Sequence, residues 1–272
     1  MLVKSLLTVV ALFVIACSSG AKQPPQRAGG SAGATGQAAG DAGETGGGAG
    51  ETASDVIVVP EGIDVSARPG VNSVFNVIAL TLSKGSSGTV LYAAVRNDGN
   101  IPACNPSFSV ELRDKDAQSL AAGISGLMVQ HFYRLTDGSG SIAGCAAPGD
   151  VTMVAITDLS LDGPIEDVRQ VVYSSSYWVL NAVAIDGLGV TEVQTVTRST
   201  GVAYTGTLVN GLDVALRNPS VAIFPIDAVG RPLGVAFDNG SVDVPPGGSW
   251  DFETSTVSDA GVDYAAFPAG GP

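Results

Sequence analysis

Short apolar segments rich in β-branched and aromatic residues alternate with clusters of Gly, Asn, Asp, Pro and Ser over most of the chain after residue 55. This pattern predicts β-strands joined by turns. The nearest candidate for a helix, 119–129, is interrupted by Gly123 and Gly126, which disfavour helix. Short strands at this spacing predict an all-β fold built from sandwiches. The clearest predicted strands are 74–82, 89–95, 151–156, 190–196 and 204–209.

An internal repeat divides this region. Segments starting at Val95 and Leu208 align without a gap, so that one constant offset relates all their matched positions. Each reads as a strand, an Asn turn, an Asn-Pro step that opens the next strand, and an alternating strand that ends on Asp. The repeat predicts two sandwiches, over 55–174 and 175–272, each closing on a tyrosine-containing strand and burying its own core. The matched pairs are Asn97/Asn210, Asn105/Asn218, Pro106/Pro219, Phe108/Val221, Val110/Ile223 and Asp114/Asp227.

The motifs of the second copy carry a family resemblance. "GTLVN" and "VAIFPIDAVG", followed by a Pro-Gly turn, resemble the FxLYD-type immunoglobulin-like domains of bacterial envelope proteins. The first copy departs from this pattern with "YAAVRN" and "FSVELRDKD". The resemblance implies immunoglobulin-like β-sandwiches that bind or space other molecules, and it implies no chemistry.

The N-terminus has the features of an export signal. Lys4 precedes an apolar run, 6–15, that fits a signal peptide and is shorter than the ~20 residues of a membrane-spanning helix. Val14-Ile15-Ala16-Cys17 resembles the lipobox of bacterial lipoproteins. The resemblance implies cleavage before Cys17, acylation of Cys17 (palmitate and related chains) and a permanent membrane anchor. Ser18, in place of Asp, favours the outer membrane. The alternative is an ordinary signal peptide with an incidental cysteine.

Residues 18–54 contain no Val, Ile, Leu, Met or aromatic residue. A segment with nothing to bury is predicted to be a disordered Gly/Ala-rich linker. Its root-mean-square span would be roughly 35 Å. The linker would therefore hold the folded part a few nanometres from the bilayer.

The formal net charge is −13 at pH 7. Without a basic patch, the chain is not expected to bind nucleic acid. The excess of acidic residues is typical of a surface that keeps an exported protein in solution.

Two cysteines remain after Cys17. In an exported chain, Cys104 and Cys145 predict a disulfide that closes the loop between them. Cys104 precedes the Asn-Pro step and Cys145 precedes a Pro-Gly turn, so both are predicted at strand entrances at one end of the first sandwich. A zinc site is the poorer alternative, because two thiols without a nearby histidine do not complete it.

Candidate catalytic and metal-binding residues are few. His131, the single histidine, lies in the alternating segment "VQHFYRL" and is predicted to be structural, not part of a catalytic triad. Asp158 to Gly163 mimics the first half of an EF-hand loop, but Arg169 occupies the position of the bidentate Glu. The sequence therefore predicts no enzyme, no cofactor and no metal site.

Three functions compete. The leading one is a non-catalytic interaction or spacer module of the cell envelope, anchored in the membrane at Cys17 and contacting an envelope protein or glycan. The second is a carbohydrate-binding or adhesin-type surface protein that uses Tyr173, Tyr177 and Trp178 as a stacking platform, although packing of these aromatics in the core is the simpler interpretation. An enzyme of unrecognised type is the third.

Overall fold

The computed structural model describes residues 57–58, 62–71, 73–85, 88–185 and 187–271. All of these residues belong to one compact unit. The described chain is all-β apart from one 3-10 turn, Ile165–Asp167. The prediction of tandem β-sandwiches is confirmed. The predicted signal peptide and linker, with Cys17, lie outside the described residues.

Seventeen strands are found in the described residues, and the predicted strands are among them. The first half contains β1 (Ile57–Val58), β2 (Asp64–Ala67), β3 (Phe75–Gly85), β4 (Gly88–Asn97), β5 (Ala103–Arg113), β6 (Ser119–Gly126), β7 (His131–Leu135), β8 (Ile142–Ala146), β9 (Val151–Leu159), β10 (Gln170–Trp178) and β11 (Ala182–Ile185). The second half contains β12 (Leu188–Arg198), β13 (Gly201–Asn210), β14 (Arg217–Ile226), β15 (Ala236–Asn239), β16 (Ser249–Glu253) and β17 (Asp263–Gly271).

The first sandwich packs a small sheet against a large one. The small sheet has the order β1-β3-β4-β9, and the large sheet has the order β11-β7-β8-β5-β10-β2, with β6 paired to β5. Pairing is antiparallel except between β2 and β10. The alternation of β5 places Phe108, Val110 and Leu112 in the core, as predicted.

The second sandwich repeats the first without its additional strands. Its sheets have the orders β12-β13-β16 and β15-β14-β17. The offset that relates Asn97 to Asn210 holds for whole strands, because it also relates the start of β3 at Phe75 to the start of β12 at Leu188. Asn97 and Asn210 themselves are the last residues of β4 and β13. The repeat found in the sequence is therefore a repeat of the fold.

The Asn-Pro steps form β-bulges and do not open strands, which corrects the prediction. Asn105-Pro106 lies inside β5, where three steps along β5 (Ser107 to Cys104) face two along β10. The second copy has the same shift at Asn218-Pro219. Asn105 and Asn218 have φ of 44° and 47°, a left-handed conformation that Asn tolerates. A bulge also accommodates Pro, since the extra residue is left out of the ladder.

The turns after these strands are equivalent as well. Oδ1 of Asp114 accepts hydrogen bonds from the amides two and four residues further on, at 2.8 Å each. Oδ1 of Asp227 does the same at 3.0 and 2.9 Å. An Asp therefore follows the end of each strand, as predicted, and its carboxylate caps the turn.

The closing strands correspond, but their tyrosines do not. Val171 pairs with Leu112, and Tyr264 pairs with Pro225, the equivalent of Leu112. Tyr264 therefore matches Val171, and Tyr173 lies two residues further along. Tyr173 is buried, whereas Tyr264 is exposed.

Each sandwich has its own core, and a third apolar cluster joins them. In this third cluster Ala94 and Met153, from the small sheet of the first sandwich, pack with Ala222, Phe224 and Phe267 of the second. Side chains from β7, β8 and β11 also pack against the core of the second sandwich, namely Phe132, Ile142 and Ile185. The two sandwiches are thus packed against each other through apolar side chains.

The predicted boundary between residues 174 and 175 is corrected by the strand pairing. It falls inside β10, which continues to Trp178 and stays paired with β5. The next strand, β11, pairs with β7 of the first sandwich. Strand pairing therefore assigns residues up to Ile185 to the first sandwich, and the second begins with β12.

The segment closest to a helical pattern is strand β6, and Gly123 lies where it packs against β9. A Cβ atom at this position would lie 2.6 Å from Cγ2 of Ile156 and 2.7 Å from Cδ2 of Leu159. Only glycine lets β6 approach β9 this closely.

Candidate functional site

The candidate site is the outer face of the large sheet in the first sandwich, around Trp178. Three strand pairings place four residues in one row across the sheet. His131 pairs with Cys145, Cys145 with Cys104, and Cys104 with Trp178. Directly paired residues point to the same side of a sheet, so the row shares one face.

The predicted disulfide between Cys104 and Cys145 is confirmed and forms the centre of this row. The two cysteines are directly opposite each other on β5 and β8. Cys145 lies near the end of β8, not at a strand entrance as predicted. Both cysteines are buried beneath a small cluster that is separate from the main core and contains Tyr133, Leu135, Ala143 and Leu180.

The three aromatic residues singled out in the sequence do not form one platform. Tyr173 is buried, and its ring stacks on Phe108 with centroids 5.4 Å apart. Tyr177 is half-buried, with its ring edge-on to Phe75 at 6.2 Å. Trp178 points the other way and is 58% exposed. The alternation along β10 explains this result, because Tyr173 and Tyr177 share the inner face and Trp178 is on the outer one.

Paired serines extend the face beyond Trp178, and the sequence reasoning missed them. The Oγ atoms of Ser107 and Ser176 are 2.7 Å apart, and those of Ser109 and Ser174 are also 2.7 Å apart. Both pairs are directly opposite each other on β5 and β10. The signal was present in the sequence as serines two residues apart, at 107 and 109 and at 174 and 176. The pairing of those strands was not.

Two groups of titratable side chains border this uncharged face. At one end, Oε2 of Glu111 accepts hydrogen bonds from Nη2 of Arg113 at 2.9 Å and Nη2 of Arg68 at 3.2 Å. The hydrogen bond from Arg113 lowers the pKa of Glu111 against the opposing effect of burial. At the end of the row opposite Trp178, Nε2 of His131 lies 3.2 Å from Oδ2 of Asp150. His131 is therefore a surface residue that contacts an acid and has no nucleophile as its partner in the row.

An acidic groove of about 510 Å³ lies on the second sandwich, across β12, β13 and β16. Oγ1 of Thr207 donates to Oδ1 of Asp251 at 2.8 Å, and Arg198 forms an ion pair with Glu253. Glu192 has a φ of 56° at the bulge of β12. The lining polar residues are Glu192, Gln194, Thr205, Thr207, Asp251 and Glu253.

Within the described residues, no group of three or more His, Cys, Asp or Glu side chains is arranged to hold a metal ion. The calcium-like segment includes the end of β9, at Leu159, and the bend that follows it. The described residues also contain no helix long and apolar enough to cross a membrane.

No protein-family model and no curated protein sequence matches the chain. Among solved structures, a similarity is found to the crystal structure of red sea bream transglutaminase. The identity is 12% over 71% of this chain, and the TM-score is 0.18. The chain spans 27% of the length of that protein.

Proposed function

We propose that this protein is a cell-envelope lipoprotein that acts as a non-catalytic interaction or spacer module. Cys17 would anchor it in the outer membrane, and the linker 18–54 would carry two immunoglobulin-like sandwiches of the FxLYD type. The lipobox resemblance and the composition of the linker support the anchor and the tether.

A single observation supports contact with a partner: Trp178 is largely exposed on the outer face of the large sheet. Tryptophan is enriched at interfaces, because its ring buries a large apolar area and its N–H finds a hydrogen-bond partner. We therefore place the contact surface on the outer face of the large sheet, around Trp178 and the serine pairs.

Position-specific cross-linking tests the contact surface. Benzoylphenylalanine is introduced in place of Trp178 in one variant and of Val262 in a control, and both are irradiated in cells. Val262 is a suitable control because it is also highly exposed and apolar but lies in the second sandwich. We expect adducts at position 178 and none at 262. Equal adducts at both positions, or none at 178, would contradict the proposal.

The anchor is tested separately with Cys17→Ser. The unmodified chain should partition into the detergent phase after signal cleavage, because its acyl chains are retained. The variant should remain uncleaved or become water-soluble. A cleaved variant that still enters the detergent phase would show that Cys17 is not the lipidated residue.

A further inference from the structure

We propose that the outer face of the large sheet binds a neutral glycan chain, with Trp178 as the stacking residue and the serine pairs as hydrogen-bonding partners. This inference rests on the proposed function, since it names the ligand of the same contact surface. It replaces the three-aromatic platform with a different set of residues: Trp178, Ser107, Ser109, Ser174 and Ser176.

The fold itself does not require an aromatic residue at position 178. In the second copy, Gly271 pairs with Arg217, the equivalent of Cys104, so Gly271 occupies the position of Trp178. Trp178 nevertheless remains 58% exposed, which leaves most of its surface in contact with water. The disulfide holds the neighbouring strand in place, because Cys104 pairs with Trp178 on one side and with Cys145 on the other. A flat, exposed ring on a fixed strand suits the apolar face of a sugar ring.

The serine pairs supply the complementary hydrogen bonds. In each pair one hydroxyl donates to the other. The Ser107–Ser176 pair therefore keeps one proton and several lone pairs for a ligand, whereas Oγ of Ser109 also donates to the Ser174 carbonyl at 3.3 Å, so that pair offers lone pairs. Sugar hydroxyls are likewise both donors and acceptors. Residues two apart on a strand are separated by about 7 Å, so Trp178, Ser176 and Ser174 form a strip about 14 Å long.

The equivalent face of the second copy shows that the serines are not there for packing. The register aligns Ser109 with Ala222 and Ser174 with Phe267. Ala222 and Phe267 are buried against the first sandwich in the third cluster. The first copy therefore has partly exposed hydroxyls where the second has an apolar packing surface.

The charge distribution favours a neutral ligand over an acidic one. The strip carries no charged side chain, and beyond its serine end Glu111 is paired with two arginines. The chain as a whole has a formal charge of −13, which repels anionic polymers. A neutral polysaccharide meets neither an unpaired charge on the strip nor this repulsion.

Native affinity electrophoresis tests the inference on the full chain in a non-glycosidic detergent. The gels contain hydroxyethyl cellulose, xylan or dextran as neutral probes, and polygalacturonate as the acidic one. We expect at least one neutral polysaccharide to retard the protein and polygalacturonate to have no effect. Trp178→Ala should weaken the interaction at least tenfold, and Trp178→Phe should retain part of it.

Variants of the serines separate hydrogen bonding from stacking. Ser176→Ala and Ser107→Ala remove the hydroxyl and add no atoms, and each should weaken retardation several-fold. Val262→Ala is the control for loss of an exposed apolar side chain and should have no effect. Thermal midpoints should agree within a few degrees, which excludes unfolding as the cause.

Three results would overturn the inference: no retardation by any of the neutral polysaccharides, equal retardation of Trp178→Ala and the unmodified chain, or retardation by polygalacturonate as strong as by the neutral probes. Protein adducts at position 178 without any retardation would overturn the proposal that the ligand is a glycan. They would still support a contact surface around Trp178. The absence of both adducts and retardation would overturn both proposals.

Discussion

Asn97 and Asn210, equivalent positions of the repeat, make the same hydrogen bonds in the two sandwiches. Both are completely buried. In each, Oδ1 accepts a hydrogen bond from the amide two residues further on, at 3.0 Å, and Nδ2 donates to the carbonyl four residues further on. Nδ2 also donates, at 2.9 Å, to the carbonyl just before the Pro-Gly turn, that of Ala146 or Val244. A single buried side chain therefore ties the end of a central strand to a distant turn in each copy.

We expect Asn97→Ala and Asn210→Ala each to lower the free energy of unfolding by at least about 2 kcal/mol. Each leaves buried carbonyl and amide groups without partners, at about 1–3 kcal/mol for each unsatisfied group. Urea unfolding is the measurement. Asn100→Ala, at an exposed position in the loop after Asn97, is the control and should change stability by no more than about 0.5 kcal/mol. Equal losses of stability in the variants at positions 97 and 100 would show that the hydrogen bonds of Asn97 do not stabilise the fold.

Loss of the disulfide should destabilise the whole folded unit. The disulfide joins cysteines 41 residues apart, and in the chain-entropy model a loop of this length stabilises the folded state by roughly 4 kcal/mol. Ile142 of the disulfide-linked strand β8 packs against the core of the second sandwich, so we expect the second sandwich to lose stability too. Calorimetry of Cys104→Ala/Cys145→Ala should show a lower transition for the entire unit. Two transitions, of which only one moves, would show that the second sandwich is stable without the first.

The cluster that joins the sandwiches gives a third prediction. Phe224 is fully buried, packs edge-on to Phe267 and lies in the cluster with Met153 of the first sandwich. Phe224→Ala should lower stability by about 3–5 kcal/mol in the full chain. In a fragment of residues 187–272 the effect should be smaller, because Met153 is missing. Phe237→Ala, half-exposed on the neighbouring strand β15, is the control. The same loss in chain and fragment would mean that the joining cluster contributes nothing.

Asp227 should make stability depend on pH in the acid range. Burial opposes its ionisation, but hydrogen bonds from the amides of Arg231 and Val229 and from the Arg231 side chain lower its pKa overall. A lowered pKa in the folded state gives stability that is present above the unfolded pKa of about 3.9 and is lost as the pH falls through the folded value. Asp227→Asn keeps the oxygen that caps the turn and removes the charge. We expect the variant to be less stable at pH 7 and the difference to shrink below pH 4, measured by urea unfolding. A difference that stays constant with pH would exclude the charge as its cause.

The sequence by itself determined the elements and their repetition. Strand formation depends on local alternation and turn residues, so the strands and the constant offset between the two copies are visible without a structure. Asn97 and Asn210 stood out for the same reason, since the residue types and spacing recur in both copies. The opposite orientation of Tyr173 and Trp178 did not follow from the sequence, because the predicted boundary at 174/175 separated residues that β10 contains as one strand.

Only the tertiary structure decided which strands are neighbours, because pairing between distant segments depends on register and packing that no local pattern encodes. The row from His131 to Trp178 requires three separate pairings across four strands. The end of the first sandwich at Ile185 depends on β11 pairing with β7, a strand far earlier in the chain. The serine strip and the exposed Trp178 come together for the same reason: a surface made by two paired strands exists only once their register is set.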